Sequence, residues 1–450
     1  MDTVNNSGVS ESQKLKVVKF GGSSLADAEQ FVKVRDIVAA EESRRYVIPS
    51  APGKRFPEDD KVTDLLYSCY NLSASGQPFD EVFDRITERY DSIISGLGLT
   101  LDLSDEYMHI KWSVSHHAGR DYAASRGEYL NGKILAEYIG CDFLDPAPFI
   151  KFGDDGVFDA EITNALLSAE LKKHDRAVIP GFYGSMPNGT IKTFSRGGSD
   201  ITGSIVARAA MADIYENWTD VDGFLMADPR LIDSPRTIDI ITYRELRELS
   251  YMGAGVLHED AIFPVRLAGI PINIRNTNNP SARGTRIVPA ADSSDSGSIV
   301  TGIAGKKGFS VITIEKDMMN SETGFGRRLL ETIEKEGLNF EHLPSGIDTM
   351  SVILSTDELS KCREHLLDSI CKSVEPDSVS VDDGLALIAV VGRGMVKAKG
   401  TAYRVFKAAA QSDINIRMID QGSSELNIII GVDENDFGSA LRAIYDEFVR

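Results

Sequence analysis

Between residues 15 and 290, short apolar runs rich in β-branched residues alternate with stretches of helical periodicity. Residues 15–20 (LKVVKF) read as a strand that ends on Gly21-Gly22-Ser23-Ser24. Phe31, Val34 and Val38 then recur on one helical stripe, with Asp27 and Gln30 placed as a capping box. Residues 46–51 (YVIPSA) form a second apolar run, broken by Pro49, Pro52 and Gly53. The segments 177–184, 212–218 and 270–276 are later strands, and 53–61 and 95–108 read as loops or insertions. Alternation of this kind specifies an α/β fold whose mostly parallel sheet is covered by helices on both faces.

A small-residue linker at 289–298 (PAADSSDSGS) marks the clearest domain boundary. Beyond it the pattern repeats at an offset of 76 residues: Val311, Ile312 and Ile314 align with Leu387, Ile388 and Val390, and Gly324 with Gly400. Leu338-Asn339 aligns with Ile414-Asn415, Gly346 with Gly422, and Val352-Ile353-Leu354 with Ile428-Ile429-Ile430. Each copy reads βαββα and needs one more strand to complete a small sheet. Open strand edges pair with each other or with a second chain. The repeat is therefore either a duplicated structural module or a ligand-sensing pair.

Composition narrows the partners. At 450 residues, with 48 Lys+Arg against 68 Asp+Glu, the chain is long enough for two or three domains and carries a formal charge of −20. An acidic surface repels phosphate backbones and anionic lipid, so neither nucleic acid nor membrane is expected as a partner. An anionic substrate would require a few cations gathered locally against that field. The four cysteines (Cys69, Cys141, Cys362, Cys371) lack CxxC spacing, which points to free thiols in a reducing, cytoplasmic setting. His116-His117 and His258-Glu259-Asp260 have no metal-site context, so no metal ligand set is expected. No apolar run reaches membrane-helix length, and residues 1–14 read as a loose polar tail without a signal-peptide core.

P-loop, Rossmann and GxSxG signatures are missing, but Gly/Ser-rich strand-to-helix turns are present. Lys19 precedes Gly21, Gly22 and Ser23, where glycines allow close backbone approach and free N–H groups at the following helix start favour an anion. The run 193–203 (TFSRGGSDITG) repeats cation, Gly-Gly and hydroxyl before an apolar helix. Arg196 there can hold a carboxylate bidentately, as lysine cannot. Asp200 is either an N-terminal capping charge or a carboxylate that orients a substrate ammonium or the Arg196 guanidinium. Thr219 and Asp220 lie in a strand-end turn (WTDVDG) followed by ADPR with Arg230, and Glu128 heads a helical pattern after SRG.

Taken in order, KFGGSS, SRGE, FSRGGSD, WTDVDG and ADPR, followed by the tandem repeat, closely resemble the aspartate kinases of the amino-acid kinase family, from about Lys16 to the C-terminus. The resemblance implies a three-layer amino-acid-kinase sandwich at 15–290 and a tandem pair of ferredoxin-like βαββαβ ACT domains at 299–450. The first ACT copy (309–383) would be inserted into the second (299–308 with 384–450). It further implies transfer of the ATP γ-phosphoryl group, with Mg2+, to the β-carboxylate of L-aspartate, a first step in lysine, threonine and methionine biosynthesis. Lys19 would touch the transferring phosphoryl group, with Asp200 beside it. Ser50 and Thr63 would belong to the segment closing over aspartate. Glu128 would receive its ammonium, and Arg196, with Ser199, its α-carboxylate. Gly21, Gly22, Ser23, Thr219, Asp220 and Arg230 would contact ATP. Lysine, or else threonine, would bind near Met318, Ser321, Ser345 and Asp348 across a dimer interface, in a homodimer or tetramer.

Two positions depart from the family pattern. Leu225 stands where a tyrosine is usual, and Gly255 replaces the second phosphate-binding lysine, leaving Arg230, Lys61 or Arg266 to supply that charge. A kinase for another small carboxylate and a non-catalytic amino-acid sensor stay as alternative readings.

Overall fold

The computed structural model describes residues 14–195, 197–254, 257, 259–291 and 298–449. Arg196, Gly255, His258 and most of the linker at 289–298 lie outside the described residues, as does nearly all of the 1–14 tail. The chain packs into two compact units. One holds the described residues of Met1–Phe224, Asp239–Tyr243 and Val256–Ala290, the other those of Leu225–Ile238, Arg244–Gly255 and Ala291–Arg450.

The first unit is built on an eight-stranded sheet. Its strands, and two more of a small side sheet, are β1 (Lys16–Phe20), β2 (Arg44–Pro49), β3 (Asp142–Phe143), β4 (Ala177–Val178), β5 (Tyr183–Ser185), β6 (Ile191–Thr193), β7 (Ile214–Thr219), β8 (Ile240–Thr242), β9 (Ile272–Asn276) and β10 (Thr285–Val288). The order is β3-β4-β2-β1-β7-β9-β10-β8, with β5 and β6 pairing separately. Every pairing in the large sheet is parallel except β9 with β10. Strand β1 is central because it can be: Val17, Val18 and Phe20 are all fully buried, as a strand covered on both faces requires, with Lys19 alone breaking the apolar run. The chain leaves β1 toward β2 on one side and reaches β7 on the other. This is a topological switch point, where a crevice opens beyond the carboxyl ends of the strands.

The helix Ala28–Ala39 starts where the sequence places it. Asp27 accepts the Gln30 N–H at 2.9 Å, and Phe31, Val34 and Val38 turn into the core. Half of the expected loop at 95–108 is helix: Asp80–Gly96 runs through its start and Ser104–Ser115 takes its end, leaving 97–103 as the connection between them. The Asp102 carboxylate, on the Ser104 N–H at 2.9 Å, opens the second of these helices. With Val62–Ala74 they form a helical insertion whose Ile86, Tyr90 and Ile93 are buried.

The second unit contains β11 (Gly302–Glu315), β12 (Phe340–His342), β13 (Thr349–Ser355), β14 (Ser378–Val391), β15 (Met418–Asp420) and β16 (Asn427–Asp433), in the order β12-β13-β11-β14-β16-β15. The 76-residue repeat is visible in the backbone. Gly324 and Gly400 both hold left-handed conformations (φ 85° and 88°) at the starts of the helices Phe325–Lys335 and Thr401–Gln411. The long strands β11 and β14 serve both copies. Phe309–Glu315 pairs with β13, whereas Gly302–Lys306 pairs with Leu387–Val391.

Two segments that precede the linker pack within this second unit. The Ile303 N–H donates to the Met226 carbonyl at 2.7 Å, and the Arg236 N–H to Tyr445 Oη at 2.9 Å. The fully buried carboxylate of Glu245 accepts from Arg393 Nη1 at 2.9 Å and from Thr301 Oγ1 at 2.6 Å. No described helix is long and apolar enough to cross a membrane.

Candidate active site at the end of the central strand

Strand pairing places Lys19 directly opposite Asn217 of β7. Lys19 is only 7% exposed, and its Nζ lies 2.6 Å from Asp200 Oδ1 and 3.4 Å from Asn217 Oδ1. Asn217 in turn donates from Nδ2 to Asp200 Oδ1 at 2.9 Å, closing a three-membered network. Asp200 reaches it from the first turn of the helix Gly198–Ala209, which starts from Gly197 in a left-handed conformation (φ 59°). A buried ammonium needs a partner, and this one has a carboxylate that an incoming anion could displace or share. The sequence reading missed Asn217; β7 also holds Glu216 and Thr219, so only its pairing opposite Lys19 singles it out.

The Gly21–Ser24 turn sits beside this lysine. The Gly21 N–H is bound by the Trp218 carbonyl at 3.0 Å, and Gly22 and Ser23 open a short 3-10 turn, where leading N–H groups have no intrahelical partner. A Cβ on Gly22 would lie 2.9 Å from the Ala51 carbonyl oxygen, so only glycine lets the two backbones meet. The Ser50 N–H donates to Phe20 O at 3.0 Å, which brings the end of β2 into the same crevice. Thr63 is half-buried at the start of the helix Val62–Ala74.

Glu128 lies on the helix Arg120–Ile139 and is 5% exposed. Its Oε2 is buried with no hydrogen-bond partner among the described residues. Burial pushes its carboxyl up to about 8, against smaller lowering from the Ala51 and its own backbone N–H groups and the Arg126 charge. An orphaned carboxylate oxygen in a dry site is costly to keep unless a cation comes to it. Asn131, one turn on, donates to the Ser50 carbonyl at 2.7 Å and ties this helix to the end of β2.

Ser199 is buried against Gly181, where an added Cβ would come within 2.6 Å of the serine Cβ. The neighbouring Phe182 carries a positive φ of 82°, a strained conformation for a bulky residue, held by its N–H on Thr202 Oγ1 at 2.9 Å. Its ring covers Gly198, which is why that position has no side chain. Sequence reasoning missed Phe182, because strain leaves no compositional trace.

Thr219 ends β7, and its hydroxyl donates to Asp220 Oδ1 at 3.2 Å, with Asp220 exposed. Arg230 belongs to the second unit, where its exposed guanidinium pairs with Asp228 at 2.6 Å. Lys61 and Arg266, the other candidates for the missing phosphate lysine, are both exposed. Within the second unit, Asp348 Oδ1 accepts the Met318 N–H at 2.9 Å inside one chain, the Ser321 N–H donates to the Met318 carbonyl, and Ser345 bridges to Met350. Two of the effector candidates, Met318 and Asp348, are thus joined without a partner subunit. Among the described residues, no group of three or more His, Cys, Asp or Glu side chains converges on a metal position.

Comparison with known proteins identifies the family. The amino acid kinase family model matches residues 14–276, and an ACT domain model matches residues 388–448. The chain is 41% identical to Aspartokinase 3 of Bacillus subtilis over 450 residues, covering 96% of this chain and 98% of that protein. Among solved structures, the aspartate kinase of Clostridium acetobutylicum is similar with a TM-score of 0.87 at 50% identity, over 97% of this chain and 100% of that one. Aspartokinase III of E. coli, in complex with aspartate and ADP, shares the fold with a TM-score of 0.73 at 24% identity over 97% of this chain and 100% of that one. With the family model spanning more than half the sequence and the Bacillus protein aligned almost end to end, the chain belongs to the amino acid kinase family, among its aspartate kinases.

Proposed function

We propose that this chain transfers the γ-phosphoryl group of ATP to the β-carboxylate of L-aspartate, giving 4-phospho-L-aspartate and ADP, and that residues 15–290 carry the catalysis. The observation that carries the reading is the presence of two opposite features at the ends of β1 and β2, where Glu128 meets the Ala51 N–H. One is a buried cation, Lys19, at the end of the central strand, and the other a buried carboxylate, Glu128, with one oxygen unpartnered among the described residues. Together they suit a substrate with negative charge at the reacting end and an ammonium at the other.

The acceptor carboxylate is ionised at neutral pH, with an ordinary pKa of about 3.9, so no general base is required. The obstacle is repulsion between two anions. Lys19 and the N–H groups of the Gly22 turn neutralise charge on the phosphoryl oxygens, while Asp200 and Asn217 fix the lysine. One carboxylate oxygen forms the new bond to phosphorus as the bridging P–O bond to ADP breaks. Mg2+ arrives with ATP as part of the substrate, phosphate oxygens and water filling most of its shell. Glu128 holds the α-ammonium, and Ser50, Thr63, Ser199 and Arg196 close around the rest of aspartate. Gly21, Gly22, Ser23, Thr219, Asp220 and Arg230 serve the nucleotide.

Regulation belongs to 299–450. Lysine is the proposed effector, bound near Met318, Ser321, Ser345 and Asp348, in a homodimer or tetramer whose contact is made through the ACT copies. In E. coli aspartokinase III, a relative in fold, a complex with lysine and aspartate is termed the T-state. Incubation with ATP, Mg2+ and single amino acids, with hydroxylamine to trap acyl phosphate, tests the reaction. A hydroxamate with aspartate alone supports it; none with aspartate defeats it.

A further inference from the structure

We propose that Arg89 is a positioning residue for phosphoryl transfer: it clamps the Gly53 segment against the Gly21–Ser24 turn and so fixes the backbone that faces the phosphates. The inference deepens the proposed function and rests on reading that turn as the phosphate cradle.

Arg89 is the only charged residue on the buried face of the helix Asp80–Gly96, among Phe83, Ile86, Tyr90 and Ile93. It is 6% exposed, so its guanidinium must be matched closely by partners. It has three. Nη1 donates to the Gly53 carbonyl at 3.0 Å and, at the limit of bonding, to the Ala26 carbonyl at 3.5 Å. Nη2 meets Asp59 Oδ2 at 2.6 Å. Asp59 also accepts the backbone N–H and Nε of Arg55, at 3.0 and 2.9 Å, and these contacts, Arg55 foremost, hold its carboxyl well below the usual carboxylate range. One side chain thus joins the end of the turn after β1, the segment after β2 and the 53–61 insertion.

Gly53 is where this clamp reaches the site. Its N–H donates to the Gly22 carbonyl at 2.8 Å, and a Cβ on it would lie 2.6 Å from the Gly22 carbonyl carbon. The two loops meet backbone to backbone, with no side chain between them to absorb a shift. Gly21, in the same turn, has Lys19 Nζ 3.6 Å from where its Cβ would be. A displacement of Gly53 therefore passes to the N–H groups of Gly22 and Ser23 beside the catalytic ammonium. The planar fork of arginine spans Gly53 and Asp59 at once; a lysine can satisfy only one of them. Apolar packing could supply stability at such a position, but it could not aim a carbonyl.

The test compares Arg89→Lys, Gly53→Ala and the double variant of the full chain, each with its melting temperature recorded. Steady-state constants for ATP and aspartate are measured, with ADP affinity by calorimetry. Misplacement of about 1 Å away from the chemistry lowers rates by about 100-fold, so kcat should fall about 10- to 100-fold in each single variant. ADP affinity should change by less than about threefold, and the double variant should be no worse than the poorer single one, because both changes break one contact chain. A lowered melting temperature with kcat within about twofold of the parent would mean a structural prop only and would overturn the proposal, as would additive losses in the double variant. If Arg89→Lys does not fold, Gly53→Ala decides alone by the same kcat criterion. Loss of hydroxamate formation in the unaltered protein would instead strike the proposed function itself.

Discussion

With Glu128 as the proposed ammonium site, its buried carboxyl couples aspartate binding to release of a proton. Burial raises its pKa from 4.5 to about 8, and its Oε2 has no partner among the described residues. At pH 7 only about one tenth of the free enzyme then carries the ionised carboxylate that an ammonium requires. The apparent KM for aspartate at pH 7 should accordingly lie about tenfold above its alkaline limit, falling about tenfold per pH unit below 8 and levelling above it. Binding should release close to one proton at pH 7, readable by calorimetry in two buffers of different ionisation enthalpy. The same shift has a stability consequence. The native state holds this proton more tightly than the unfolded chain, so the penalty is absent below about pH 4.5, grows as pH rises, and is complete above about 8. Its upper size is 8 minus 4.5, or 3.5 units, about 5 kcal/mol. Glu128→Gln should therefore weaken aspartate binding yet stabilise the ligand-free protein, by more at pH 8.5 than at pH 5. A KM for aspartate that is flat from pH 6 to 8.5, with no proton released on binding, would refute the assignment.

Three further outcomes follow from the geometry. Lys19→Ala should lower kcat by at least about 100-fold, the loss expected for one preorganised charge contact at the reacting centre; near-normal turnover would reject its role. Asn217→Asp should place a second carboxylate on Lys19, masking its charge, and reduce kcat/KM for ATP about tenfold or more, whereas an unchanged value would show that Asn217 does not govern the lysine. Asp348→Ala frees the Met318 N–H and should loosen the proposed effector loop; lysine titration followed by activity should show at least about a fivefold weaker response, and an unaltered inhibition curve would separate this loop from regulation.

The chemistry lay close to the surface of the sequence where it rides on turns. KFGGSS and GGSD could be read as strand-to-helix turns because glycine and hydroxyl residues suit the backbone there. Asn217, Phe182 and Arg89 could not. Asn217 matters only once β1 and β7 are aligned, and Phe182 only through its backbone angle. Arg89 matters because its helix, part of which was expected to be loop, packs over the Gly53 segment.

By itself the chain determined the βα alternation, the first strand and the 76-residue repeat, because each follows from periodicity and from residues that tolerate unusual backbone, such as Gly324 and Gly400. Only tertiary structure decided which long strands both repeats share, that the segment carrying Arg230 folds with the C-terminal unit, and that Lys19 meets Asp200 across 181 residues of chain. These depend on strand order and packing between distant segments, which no local pattern encodes.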